Sequence, residues 1–252
     1  MSFHEYIRGL QNILGRIAAE QSENIRRAGT VIADSIANDG IVHTFGTGHS
    51  HIIAEDVFFR AGGIAAINPI LDERLIFLRG ALESTRAERE SGIASELLDH
   101  EHVGVNDASI IISNSGRNAA PVEMAFEMKK RGIPVIAITS LEQSGASSPR
   151  HGSGKRLFEI ADVAIDNCVP PGDALIKIEG IESKTGASST AAGSAVVHSI
   201  VIAALAELVR RGISPPVLPS ANLESTASAT LRDILRPFSG RIRYLEIETE
   251  ID

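Results

Sequence analysis

The 252-residue chain has no tryptophan, one cysteine, two tyrosines and eight phenylalanines. With so few aromatic rings, a base-stacking platform for nucleic acid has little to work with. The lone thiol, Cys168, excludes an intramolecular disulfide and any cysteine-only structural zinc or iron–sulfur site. That usage suits a reducing compartment, and a cytoplasmic location is expected. Positive charge is also short: 24 Lys and Arg stand against 32 Asp and Glu, a net charge of −8. A net-acidic chain has no global pull on phosphodiester backbones, so no nucleic acid partner is expected. Nor is there a membrane-length apolar run. The most apolar stretch, 195–209, is interrupted by His198, Ser199 and Glu207. It falls short of the roughly 18 apolar residues of a span and reads as a buried helix. The opening MSFHEYIRGL places His4, Glu5 and Arg8 where a signal peptide needs uninterrupted apolar residues, so neither export nor a membrane is expected.

What is abundant is aliphatic: 43% of residues are hydrophobic. At this length roughly 70–75% of the unfolded surface is buried on folding, enough for a full core. Residues 3–38 carry apolar positions at helical spacing, from Ile7, Leu10, Ile13, Leu14 and Ile17 to Ile25, Val31, Ile32 and Ile36, closing at Asn38-Asp39-Gly40. One long helix or two joined ones are predicted. Four compact aliphatic runs follow at 41–45, 64–67, 108–112 and 133–138, with a fainter fifth at 163–165. Such runs mark strands buried on both faces of a parallel sheet. Helical segments separate several of them, most clearly 119–131, whose Lys129-Lys130-Arg131-Gly132 stop precedes Ile133-Pro134-Val135. The alternation predicts an α/β fold: a doubly wound, mainly parallel five-stranded sheet flanked by helices in a three-layer sandwich. No compositional break marks a second domain. A single domain is expected, with a leading helix over 1–39, a core over 40–212 and a C-terminal extension over 213–252.

Two stretches depart from the alternation. Residues 68–107 are rich in charge and too long for a plain loop, so helices forming a cover or a subunit contact are expected there. Residues 140–155 accumulate Ser, Gly and Pro, which predicts a mobile loop after the fourth strand.

In an open parallel sheet, ligands bind beyond the carboxyl ends of the strands. There the sequence places Gly46-Thr47-Gly48-His49-Ser50-His51, then Ser113-Asn114-Ser115-Gly116-Arg117-Asn118, then Thr139-Ser140. All three are rich in hydroxyls, and two carry glycine ahead of a helix. Hydroxyls and the free N–H groups of a helix start suit a small phosphorylated ligand, although Ser113 and Ser115 could equally cap the helix beginning near Asn118. A nucleotide is disfavoured: His51 stands where the dinucleotide fingerprint needs glycine or alanine, and no Walker lysine follows either loop. A serine nucleophile is disfavoured too, because Ile52 replaces the second glycine of a nucleophile elbow.

The run Ser113-Asn114-Ser115-Gly116-Arg117-Asn118, with Gly48-His49-Ser50 before it and Thr139-Ser140 after it, resembles the SIS (sugar isomerase) family over about residues 40–212. Gly48-His49-Ser50-His51 with Ala54-Glu55, Arg60-Ala61-Gly62-Gly63 and Asn68-Pro69-Ile70 is similar to single-domain bacterial members of the phosphosugar, phosphoheptose-like isomerase kind. The resemblance implies a SIS-type fold. It also implies that Ser50, Ser113, Asn114, Ser115 and Asn118 hold a substrate phosphate, Asn118 standing where the family often has Thr. Gly48, His49, His51, Gly116, Thr139 and Ser140 complete the expected sugar-phosphate site. Thr185-Gly186-Ala187-Ser188-Ser189-Thr190 is similar to the turn before the last helix in arabinose-5-phosphate isomerases and N-acetylmuramic acid 6-phosphate etherases, which adds Ser188 and Ser189.

Aldose–ketose interconversion needs a group that shuttles a proton between adjacent carbons and a second acid/base for ring opening. Three candidates are Glu55, five residues after Ser50; Glu182, six before Ser188; and His198 on the last helix. Each has a plainer reading as a solvated carboxylate or a satisfied core histidine. His49 and His51 lack a third metal ligand at a recognisable spacing, and His100-Glu101-His102 reads as a solvated turn, so no metal and no cofactor are expected. The expected activity is therefore metal-independent aldose–ketose isomerisation of a sugar phosphate. A lyase or etherase acting on an amino-sugar phosphate, or a non-catalytic sugar-phosphate sensor that regulates a partner protein, stays open beside it. The family resemblance implies a homodimer or homotetramer. An acidic chain that binds an anion must do so locally, and serines, amides and helix dipoles are expected to serve in place of a basic surface.

Overall fold

Apolar residues at helical spacing open the chain as two helices, α1 (Ser2–Glu20) and α2 (Ser22–Ala37), in a computed structural model that describes residues 2–220 and 228–245. Helix α1 turns Ile13 and Ile17 inward, and α2 turns Ala28, Ile32 and Ala33 inward. The aliphatic runs become strands β1 (Val42–Gly46), β2 (Ile67–Ile70), β3 (Ala108–Ile112), β4 (Val135–Thr139) and β5 (Val163–Asp166). They pair in the order β2-β1-β3-β4-β5, and every pair is parallel. Burial on both faces explains the unbroken apolar runs. Ile110, Ile112, Ile136 and Ile138 pack on the side of α1, α2 and the last long helix, while Ile111, Val135 and Ala137 pack on the other.

One run is corrected. The stretch 64–67 is not the strand; β2 begins at Ile67, at its end. Ile64 instead forms an antiparallel bridge with Val217, the Ala65 amide donates to the Pro216 carbonyl (2.8 Å) and the Leu218 amide to that of Gly63 (2.9 Å). The extension thus takes up the backbone that would have carried the strand. Pro69 is tolerated in β2 because β2 lies at the sheet edge.

Helices α3 (Ser50–Asp56) and α6 (Ala119–Lys130) follow β1 and β3. Between β2 and β3 the charged segment folds as a short 3-10 turn (Phe77–Arg79), α4 (Ala81–Ala87) and α5 (Ile93–Leu98). Arg74 ties it together, bonding Asp72 and both carboxylate oxygens of Glu96 (3.0 Å each). Leu97, Leu98, Met124 and Met128 share a buried cluster, so this segment covers one sheet face. Of the loop expected over 140–155, the first part is helical and the remainder is irregular. Ser140 caps α7 (Leu141–Gly145), its Oγ accepting from the Gln143 amide (3.2 Å), and the Arg156 guanidinium donates to the carbonyls of Ser144 and Gly145. Side chain-to-backbone bonds hold residues whose composition alone reads as a loop.

A two-stranded antiparallel pair, β6 (Ala174–Ile176) and β7 (Thr185–Ala187), leads into α8 (Ser189–Arg210). By length and composition α8 could cross a membrane, being longer than the apolar core visible in the sequence. Here Ala192, Val196, Ile200 and Ala204 are buried in the core shared with the sheet. Gly29 lets α2 approach it closely: a Cβ there would lie 2.6 Å from that of Ala203. Helix α9 (Ser228–Leu235) and the turn after it place Leu235, Phe238, Ile242 and Leu245 in the same cluster as the sheet residues.

Candidate functional site

Strands β1 and β3 pair with Gly46 opposite Ile112, so the turn after β1 and the loop after β3 emerge side by side at the carboxyl edge. Gly46 is needed because a Cβ there would lie 2.4 Å from the Ser50 carbonyl, where the chain doubles back into α3. The Gly48 amide donates to the Leu75 carbonyl (2.8 Å), and the Thr47 hydroxyl to Glu88 Oε2 (3.0 Å). The cover segment therefore holds the turn. Phe77 lies against the rings of His49 and His51, with centroids 4.8 and 6.0 Å away. His51 bonds the Gly48 carbonyl through Nδ1, which must carry the proton because a carbonyl only accepts. Its Nε2 then faces Glu55 Oε2 at 3.6 Å.

In loop 113–118, Gly116 adopts φ +57°, and a Cβ there would come within 3.0 Å of both Ser144 Oγ and Thr139 Oγ1. The Gly116 amide donates to Ser113 Oγ (3.1 Å). Asn114 serves as a rivet: its Nδ2 donates to Gln143 Oε1 (3.0 Å), its Oδ1 accepts from Asn167 Nδ2 (2.8 Å) and its carbonyl accepts from the Ser140 amide (3.0 Å). Ser50 and Ser115 stay half-buried, while Asn118 is buried as the first residue before α6. Thr139 and Ser140 are fully buried, and their hydroxyls donate to the carbonyls of Asn114 (3.2 Å) and Val169 (2.6 Å). Both therefore shape the loop from behind.

Arginines also lie beside this loop. The Arg150 amide donates to the Arg117 carbonyl (3.0 Å), and Arg150 Nη1 donates to Asn118 Oδ1 (2.9 Å). Arg89 follows Glu88, whose carbonyl accepts from the Ala120 amide (3.0 Å) at the start of α6. Burial and the charges of Arg117 and Arg89 bring the Arg150 guanidinium below its ordinary pKa. Among the described residues, two buried side-chain polar atoms lack a hydrogen-bond partner, Arg117 Nε and Ser144 Oγ, and both flank this loop. The arginines come from separate segments, 117 on the loop, 89 after α4 and 150 after α7, which no spacing rule connects.

Other sequence candidates have partners of their own within the chain. Ser188 and Ser189 are engaged by Asp173: its Oδ1 accepts from both amides (2.8 and 2.6 Å), and its Oδ2 accepts from the Ser189 hydroxyl (2.8 Å). The start of α8 already holds a carboxylate there, where an anion would otherwise sit. Glu182 is exposed beyond β6, its carbonyl taken by Lys177 Nζ. His198 Nε2 meets Asp56 Oδ2 (3.0 Å), and Ser194 Oγ donates to the same oxygen (2.5 Å). Burial opposes ionisation of Asp56, but the bonds from Ser194 and His198 and the charge of Arg60 bring its carboxyl below the ordinary value. His198 thus joins α8 to the end of α3.

Glu55 is about half exposed and lines a cleft of about 560 Å³ with Asp72, Arg79, His100, Arg243 and Tyr244. The 3-10 turn is shared between the two places: Phe77 lies on the histidines, and Leu78 and Arg79 line the cleft. The solvated turn expected at His100-Glu101-His102 is corrected for Glu101, whose side chain is 1% exposed. It accepts from Asn68 Nδ2 (2.7 Å), which also meets His43 Nδ1 (3.0 Å), and it pairs with Arg243. His43 in turn meets Asp107 Oδ2 at 2.9 Å in a fully buried pair. Among the described residues no group of three His, Cys, Asp or Glu could hold a metal ion. Burial pushes the Cys168 thiol up to about 11, which leaves it a poor nucleophile.

Residues 5–140 match the model of the SIS domain family. A UPF0309 protein of Listeria innocua is 41% identical over 219 residues, 87% of this chain and 87% of that one. A UPF0309 protein of Thermoanaerobacter pseudethanolicus is 38% identical over 245 residues, 96% of this chain and 99% of that one. Among solved structures, a phosphoheptose isomerase of Neisseria gonorrhoeae shares the fold, with a TM-score of 0.52 at 15% identity over 81% of this chain and 95% of that one.

Proposed function

Since the chain belongs to the SIS domain family and, within it, to the UPF0309 proteins, we propose that it binds a sugar phosphate at the carboxyl edge of β1 and β3. The observation that carries this reading is the loop 113–118. It is wound around Gly116 beside the Gly48–Ser50 turn, with Ser113, Ser115 and Asn118 at the start of α6. In this reading the phosphate takes the hydroxyls and amides of the loop, and Ser50 and His49 reach the sugar. The chain is read as a single domain, with Leu218, Leu235, Phe238, Ile242 and Leu245 of its extension packing on the same core.

The finer reading is aldose–ketose isomerisation. His51 and Glu55 form the acid/base pair, Glu55 exchanging the carbon-bound proton and His51 Nε2 serving the ring oxygen. Of the three acid/base candidates from sequence, Glu55 is the one on the helix that follows the His49–His51 turn. A second reading, a non-catalytic sugar-phosphate sensor, is favoured by the engagement of His198 with Asp56 and the exposure of Glu182 on the connection between β6 and β7.

Incubation with a panel of pentose, hexose and heptose phosphates in deuterated water separates the readings. An isomerase incorporates deuterium at the carbon beside the carbonyl of the substrate that binds. A bound sugar phosphate that neither exchanges nor interconverts leaves the sensor, and no binding by any member of the panel refutes the site itself.

A further inference from the structure

Around the start of α6, three side chains of one sign converge from three segments. Arg150 is fixed to the loop by its amide on the Arg117 carbonyl and its Nη1 on Asn118, and Arg89 sits where the Glu88 carbonyl holds the Ala120 amide. Arg89 and Arg150 are exposed at the rim, and Arg117 is half-buried with its Nε shielded from solvent. Glu88 is the carboxylate felt by Arg150, and it is hydrogen-bonded to Thr47; no ion pair joins it to any of the three among the described residues. Elsewhere arginines of this chain find carboxylates, as Arg74, Arg156 and Arg211 do. In a chain of net charge −8, arginines without carboxylate partners at one loop form a local field of the opposite sign.

Resting on the sugar-phosphate reading, we propose that Arg117, with Arg89 and Arg150 at the rim, supplies the positive charge that holds the ligand's phosphate on loop 113–118. A guanidinium presents donors in a planar fork matched to phosphate oxygens, and Arg117 Nε is a buried donor whose bond is unmade within the chain. Ser144 Oγ, fully buried and also without a partner, lies against Gly116 at the back of the same loop. The two orphaned atoms mark the loop independently of the helix terminus. Asn118 is the hinge between the loop and the rim: its Oδ1 fixes the guanidinium of Arg150 and its carbonyl accepts from the Val122 amide in the first turn of α6.

The test is calorimetric titration of the full chain with inorganic phosphate, unphosphorylated sugars and the sugar-phosphate panel, at low and high salt. Arg117→Gln is expected to weaken sugar-phosphate binding by about ten- to a hundredfold, the loss of one charge-assisted bond. Arg117→Lys should recover part of it. Arg89→Gln, at the exposed rim, is expected to cost about threefold and to flatten the salt dependence. Wild-type binding that is indifferent both to salt and to Arg117→Gln overturns the arginine role and leaves the sugar-phosphate reading standing. Absence of binding by every sugar phosphate overturns both. Should Arg117→Gln fail to fold, an unchanged salt slope in Arg89→Gln overturns the proposal.

Discussion

The Asp173 carboxylate sits on the first turn of α8, its Oδ2 2.8 Å from Ser189 Oγ and its Oδ1 2.6 Å from the Ser189 amide. A serine-rich helix start in this family invites assignment to the ligand, yet here the chain supplies its own anion. Asp173 holds φ +67°, an uncommon backbone for a non-glycine residue, which its bonds to both serines offset.

Asp173→Ala is expected to destabilise the fold by about 1–2 kcal/mol, the range for a lost helix cap. Sugar-phosphate affinity should stay within about twofold, as the side-chain bonds of Asp173 go to Ser188 and Ser189 and not to loop 113–118. Urea denaturation and calorimetric titration of the same variant check both halves; a large loss of affinity with unchanged stability would return Ser188 and Ser189 to the ligand site.

Gly116→Ala should damage both stability and binding. The φ of +57° is strained for alanine, and its methyl group would meet Ser144 Oγ and Thr139 Oγ1 at 3.0 Å. A loss of about 1–3 kcal/mol is expected, with sugar-phosphate affinity down at least about tenfold as the loop shifts. Thermal melts with and without ligand report the two effects separately.

Glu55→Gln and Glu182→Gln should part company. The first is expected to lower turnover by about a hundredfold or more with binding retained, the scale of lost general acid–base catalysis. The second, exposed beyond β6, should change turnover by less than about twofold. Equal loss in both would show that β6, β7 and their connection come to the substrate.

The buried pair of His43 and Asp107 sets an acid limit. Burial opposes the Asp107 charge, but the bonds from His43 and from the amides of Ile41 (2.9 Å) and Gly104 (2.7 Å) hold its carboxyl below the ordinary 3.8. A lowered folded value means that its stabilisation is present above pH 3.8 and is lost as pH falls through the folded value. Denaturant midpoints measured from neutral pH downward should drop in that range. Asp107→Asn should cost about 2–4 kcal/mol at neutral pH and flatten the acid slope.

Much of this protein is written locally. The aliphatic runs at 108–112 and 133–138 announced central parallel strands, because a strand covered on both faces leaves no place for polar residues. The strand-end glycines and serines of Ser113-Asn114-Ser115-Gly116 announced the loop, because left-handed backbone and helix starts select those residue types. Local patterning also found the leading helical segment, which the structure divides into α1 and α2, and the long apolar helix α8.

Tertiary structure decided whatever depends on residues far apart in the chain. It alone assigned the backbone of Ile64 to Val217 and so moved β2, and it buried Glu101 against Asn68 and Arg243. It gave Ser188 and Ser189 to Asp173, and His198 to Asp56. It gathered Arg89, Arg117 and Arg150 at one loop. The sequence by itself determined the central strands, their flanking helices and the turn chemistry of loop 113–118, since burial pattern and backbone preference act over a few residues. Which polar side chain meets which was left to the fold, because a hydrogen bond or ion pair is set by distance in space, and sequence spacing carries no record of it.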